Sequence, residues 1–235
     1  MQAQNGALQT AYFVNQFTLG SAKFDVGPLH GVVTLAEGCA RCEAFSDGVF
    51  AIAITLLVLE IRLPHAGVEG SLWTALAALW PSYLAFALSF FVILVTWIGH
   101  HDLMRLVRVT SRPFLLANGF VLLYVTFIPF PTAVLASQLA GPESSAAVTL
   151  YCGTFAVGAV VWNLMLRTIE RGQLFRPEVD AQFIKHLRRV YRWNLLMGVA
   201  TTLLALFLPP VALAVTFAVR LLLLRIRYDA ARSGP

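Results

Sequence analysis

Charge is almost absent from the interior of the apolar segments of this chain and collects in the short connections between them. That arrangement leaves few folds open, because roughly 20 consecutive apolar residues are what a helix needs to cross a bilayer. Six such segments can be drawn: 44–62, one within 72–104, 113–138, 146–167, about 190–208, and 210–226. Composition agrees: 58% of residues are hydrophobic and 12% charged, against about 25% charged in a soluble domain. This excludes an ordinary soluble enzyme surface, and also a disordered chain, which needs low hydrophobicity and high charge. The expected fold class is all-α, a polytopic membrane protein with six transmembrane helices per chain. Pro81 is expected to separate a short lead-in helix from the second span. The Pro209-Pro210 pair is expected to end the fifth helix, since proline offers no backbone N–H and clashes with the preceding turn.

The net charge of +5 does not indicate nucleic acid, because the basic residues sort by connection and not onto a soluble element. Lys23 and Arg41 precede the first span; Arg105, Arg108 and Arg112 lie between the second and third. Seven lie between the fourth and fifth, from Arg167 to Arg192, and Arg220 to Arg232 close the chain. Sixteen of seventeen thus fall on one side, with Arg62 alone on the other. By the positive-inside rule both termini are cytoplasmic, as expected of a multi-pass protein of the cell (inner) membrane. The expected organisation is a loosely ordered N-terminal tail over 1–38, a transmembrane domain over 39–228 and a short cytoplasmic tail over 229–235. The first segment lacks the basic and apolar regions of a signal peptide.

Most polar features inside the spans have plain readings. Cys39 and Cys42 form a C-x-x-C, but a zinc site needs further ligands, and Cys152 in the fourth span cannot reach; no metal or cofactor is expected. His100 and His101 diverge by about 100° on a helix, so one is expected to be a buried hydrogen-bonding partner and the other to meet solvent. Asn118, Asn163 and Asn194 read as interhelical glue, since polar groups in lipid need partners within the bundle.

The most informative stretch opens the first span: Arg41, then Phe45-Ser46-Asp47, running into GVFAIAITLLVLEI. An acidic residue at the membrane edge is a functional-site hypothesis by default. At about 100° per residue, Phe45, Gly48, Ile52, Thr55, Leu56 and Leu59 share one stripe. Asp47, Ile54 and Val58 fall on another face. Arg41 and Asp47, six apart, cannot pair within the helix. Periodicity alone does not make the stripe a pore.

These residues resemble the endosomal and lysosomal potassium channel (transmembrane protein 175) family. RCEAFSDGVFAIAITLLVLEI carries the likeness, supported by Trp97 with His100-His101 and by Phe127-Ile128-Pro129-Phe130-Pro131-Thr132. The long N-terminal tail departs from the pattern. The resemblance implies a potassium-permeable cation channel without a TVGYG filter, assembled around a central pore lined by the first helix. It implies a constriction of aliphatic rings at Ile52, Leu56 and Leu59, with a hydroxyl ring at Thr55. Arg41, Phe45, Ser46, Asp47, His100 and His101 would form a structural or gating network. With one FSD motif per chain, the implied assembly is a homotetramer in the lipid bilayer, passing potassium and other monovalent cations. The rival readings are a small secondary transporter or proton-permeable carrier, which would want an ionisable group at the bilayer midplane. An enzyme is not expected, since no HExxH, paired carboxylates or GxSxG occurs.

Overall fold

The computed structural model describes residues 27–62 and 71–232, with side chains from Gly38 to Leu224 outside the gap at 63–70. The chain divides into two compact units, 1–35 and 36–235; the second carries everything discussed below. The named elements among the described residues are all helices, with one isolated antiparallel bridge between Val107 and Phe175 in the connections. α1 spans Gly27–Leu56 and tightens into a 3₁₀ turn over Leu57–Glu60. There follow α2 (Leu72–Ala78), α3 (Trp80–Leu106), α4 (Arg112–Phe127), α5 (Pro129–Gln138), α6 (Ser144–Arg171), α7 (Ala181–Ala205) and α8 (Pro209–Arg232). Among the described residues four stretches are long and apolar enough to cross a membrane: Gly38–Glu60, Trp80–Leu106, Arg112–Gln138 and Ser144–Arg171. Pro209–Leu224 is a shorter apolar helix.

Local chemistry explains most boundaries. Pro81 lies in the first turn of α3 after the lead-in helix α2, a place where a missing N–H costs nothing. The third segment, expected as one span, breaks at Ile128 into α4 and α5. Pro129 and Pro131 lie just beyond the break and supply no N–H to the carbonyls one turn back. Pro209 and Pro210 open α8, whereas the expectation had them ending α7; that helix stops at Ala205, where Ser145 donates to the carbonyls of Ala205 and Leu206 at 3.0 Å. α1 begins at Gly27, so the later part of the expected tail is helical; residues 1–26 and 233–235 lie outside the described residues.

α6 is the axis of the bundle, packing against α4, α5, α7 and α8. It buries Tyr151, Cys152, Phe155, Met165 and Ile169. Gly158 admits the Tyr124 ring of α4, which a Cβ there would overlap. A buried hydroxyl cluster ties α3, α5 and α6: Ser89 Oγ lies 2.7 Å from Thr132 Oγ1 and 3.0 Å from the Tyr151 hydroxyl. Asn163 of α6 donates to the Tyr191 carbonyl of α7 at 3.0 Å. At the far end two connections meet: Arg108 N–H donates to Leu174 O at 2.8 Å and Arg176 N–H to Leu106 O at 2.9 Å. Arg220, counted above as a cytoplasmic charge, is instead buried in the bundle and donates to Asn194 Oδ1 at 3.1 Å. Its guanidinium also stands 5.1 Å over the Phe155 ring.

Candidate functional site: the face and anchor of the first span

α1 is attached to the rest of the chain along one narrow edge. Cys42, Ser46, Phe50, Ala53 and Leu57 are buried, at the three- and four-residue spacing of one helix face. By 100° steps that row lies about 100° round from Ile52 and Leu56. The stripe itself is uncovered: Phe45 and Leu59 are each 67% exposed, Ile52 59% and Leu56 43%. Gly48 and Thr55 are exposed beside them. Only 28% of the most apolar stretch of this span is buried within the chain, against 50% for Arg112–Gln138. The 3₁₀ turn matters here, because residues three apart eclipse in that geometry and Leu59 stays aligned over Leu56. The Thr55 hydroxyl is spent on the Ile52 carbonyl at 2.9 Å. Val58, expected on the opposite face, is also 53% exposed, while its neighbour Leu57 is fully buried.

The N-terminal end of this edge is held by two parallel sets of polar contacts. The inner set is fully buried and directional. His100 Nε2 lies 2.8 Å from Asn118 Oδ1; because an amide oxygen only accepts, Nε2 carries the proton. The Asn118 amide donates to Ser46 Oγ at 3.0 Å and to Cys42 Sγ at 3.4 Å. Ser46 in turn donates to the Cys42 carbonyl at 2.8 Å. The relay therefore runs from α3 through α4 into α1. His100 Nδ1 is buried without a hydrogen-bond partner, among the rings of Phe50 and Trp162.

The outer set is a half-exposed ladder. Trp97 Nε1 donates to Asp47 Oδ1 at 2.8 Å, and His101 Nδ1 lies 2.9 Å from Glu43 Oε1. Glu43 and Asp47 are one turn apart on α1, as Trp97 and His101 are on α3. Two antiparallel helices thus meet rung for rung, with the Trp97 and His101 rings stacked at 6.0 Å.

The structure brings together Ser46, Asp47, His100 and His101, with His100 buried and the His101 side chain 42% exposed. Within this group Asp47 meets Trp97 and neither histidine. Arg41 and Phe45 stand apart, exposed, and Arg41 makes no hydrogen bond or ion pair among the described residues. Glu43, Cys42 and Asn118 are members that sequence reasoning did not place in the site. The i, i+4 spacing of Glu43 with Asp47 was the available signal. Among the described residues no group of three or more His, Cys, Asp or Glu side chains could hold a metal ion.

The sequence model of the family described as "Endosomal/lysosomal potassium channel TMEM175" matches residues 41–129, which include every residue of this site. A potassium channel of Chamaesiphon minutus is 46% identical over 157 residues, covering 66% of this chain and 77% of that protein. The chain belongs to the TMEM175 family. A solved TMEM175 homologue from Chamaesiphon minutus, described as a lysosomal potassium-selective channel, superposes with a TM-score of 0.72 at 37% identity. It covers 80% of this chain and 97% of that one. A Rattus norvegicus relative, 31% identical over 210 residues, covers 80% of this chain but 42% of its own length; it is named an endosomal/lysosomal proton channel. The TMEM175 family is one of channels and not of enzymes, and apolar helices of this length make the chain a multi-pass membrane protein.

Proposed function

We propose that this TMEM175 chain is one subunit of a potassium-permeable cation channel in which α1 of each of four subunits lines a central pore. The observation that carries the reading is the division of α1 into a buried, polar-anchored edge and an uncovered aliphatic stripe. A helix fixed this way can present Ile52, Leu56 and Leu59 to an axis without losing its attachment to α3 and α4. The names of the bacterial relatives supply potassium as the ion. Ile52 forms the principal constriction, Leu56 and Leu59 extend it, and Thr55, already bonded to its own backbone, offers only a lone pair. A ring of aliphatic side chains raises the cost of wetting a narrow pore and can gate it by dewetting. Ser46, Asp47, His100 and His101 set the rotation of α1 and do not coordinate the ion; Arg41 and Phe45 lie outside that anchor on the exposed side. α7 and α8 complete six spans, with both termini cytoplasmic, in the inner membrane.

The test is paired substitution in planar bilayers under bi-ionic potassium and sodium. Ile52→Asn keeps side-chain size but offers water and ions hydrogen-bonding partners. Conductance should rise and the potassium preference should fall. Ile54→Asn, on the partly buried flank, should cost stability and leave the reversal potential unchanged. The reverse pattern would place the pore on the wrong face of α1. A second reading, proton permeation, is favoured by the name of the rat relative. The same bilayers under a proton gradient separate the two, and potassium flux from liposomes without a co-substrate separates both from a transporter.

A further inference from the structure

The exposed face of α7 changes character once along its length. Lys185, Arg189, Arg192, Leu196, Val199 and Leu203 are all exposed and recur every three or four residues, so they form one stripe. Its first half is cationic and its second half apolar, with exposed Trp193 at the change. α6 changes at the same height. Leu164 is exposed and apolar, and Arg167 and Arg171 follow one and two turns later. The hydrogen bond from Asn163 to the Tyr191 carbonyl fixes that height, since it places the two transitions side by side. Of these arginines' neighbours only Arg188 is paired, to Glu170 at 3.0 Å; Arg189 and Arg192 have no ion pair among the described residues.

Length decides what fits. From Arg192 to Leu203 the helix rises about 16 Å at 1.5 Å per residue. One leaflet of a hydrocarbon core about 30 Å thick measures about 15 Å. The distance from Arg192 to the far end of the apolar half is therefore about one leaflet, which sets the arginines where the headgroup begins. Every phospholipid phosphate accepts the hydrogen bonds that arginine donates in a fork, but a zwitterionic headgroup sets its own ammonium beside that phosphate and brings no net charge, whereas an anionic phospholipid brings net negative charge to the two guanidinium groups.

We propose that this stripe binds an anionic phospholipid of the cytoplasmic leaflet, its phosphate between Arg189 and Arg192 and an acyl chain along Leu196, Val199 and Leu203. The site rests on the membrane placement of α7 and not on channel activity, so a failed ion recording leaves it standing. The experiment is thermal unfolding of the purified full-length protein in neutral detergent, titrated with phosphatidylglycerol or with phosphatidylcholine of the same chains. Phosphatidylglycerol should raise the midpoint and phosphatidylcholine should not. Each arginine near an anionic lipid surface is worth roughly a factor of five in affinity, so R189Q/R192Q should weaken the response roughly 30-fold. R189K/R192K should keep most of it, and R105Q, which removes an exposed charge from α3, should behave as the unaltered protein. If the double glutamine variant does not fold, R189Q alone should show the fivefold loss. Equal protection by both lipids, by inorganic phosphate, or of the double variant overturns the proposal. So does a double variant that elutes as a smaller species, which would make the stripe a contact with a second copy.

Discussion

Asn118 is the residue on which the anchor of α1 turns. Its amide satisfies three groups on two other helices, all in the interior. A buried polar group left unmade costs about 1–3 kcal/mol, so Asn118→Ala should destabilise more than Asp47→Ala. Asp47 and Trp97 are only half buried, and water can replace the partner that either loses. Thermal melts of the two variants in mild detergent, with the oligomer followed by size exclusion, give the order; a less stable Asp47→Ala would make the outer ladder the principal anchor. The helical wheel was enough to separate Asp47 from the stripe. It was not enough to pair it, because the ladder of Glu43 and Asp47 with Trp97 and His101 exists only once α1 and α3 are known to lie antiparallel and in contact.

Among the elements, the sequence reading found helices where apolar runs are long and missed boundaries set by caps. α7 begins at Ala181, well before the expected 190, because Asp180 accepts from the Gln182 N–H at 3.2 Å and caps it. Hydropathy could not see those turns, which are basic. The expected third span holds as one apolar stretch, Arg112–Gln138; the break within it between α4 and α5 was written in Phe127-Ile128-Pro129-Phe130-Pro131-Thr132. Its result is to bring Thr132 to Ser89 and Tyr151. Contact of α4 with α6 depends on a single missing side chain. Gly158→Ala would drive a methyl group into the Tyr124 ring, and overpacking of this kind costs typically about 1–3 kcal/mol. The melting temperature of Gly158→Ala should fall, and adding Tyr124→Leu, which clears the ring, should restore part of the loss. No recovery in the pair would mean the strain is relieved elsewhere.

For the whole molecule, the sorting of basic residues leads to an expected orientation, and the structure changes the count on which it rests. Arg220 leaves the count, since it lies inside the bundle against Asn194 and Phe155. Nothing in a linear sequence distinguishes an arginine at a helix end from one turned inward, because both follow an apolar run. The remaining basic connections keep their bias, so the orientation stands as an expected outcome. With Cys39, Cys42 and Cys152 replaced by serine, a cysteine at exposed Glu143 should react with an impermeant thiol reagent from outside intact cells. One at exposed Gln173 should react only after the membrane is opened. The opposite pattern would invert the protein.

The hydrogen bonds that join Arg108 to Leu174 and Leu106 to Arg176 carry a practical consequence for anyone handling this protein. Surface connections usually accept inserted sequence, but here the connection after α3 and the one after α6 are clasped to each other. Val107 and Leu174 are buried beneath the clasp. A fluorescent tag or epitope placed in either would pry apart two distant parts of the chain at once. The exposed turn at Pro142 and Glu143 has no backbone clasp of this kind among the described residues, and foreign sequence placed there, ahead of the Ser145 contact with the end of α7, would disturb the bundle least.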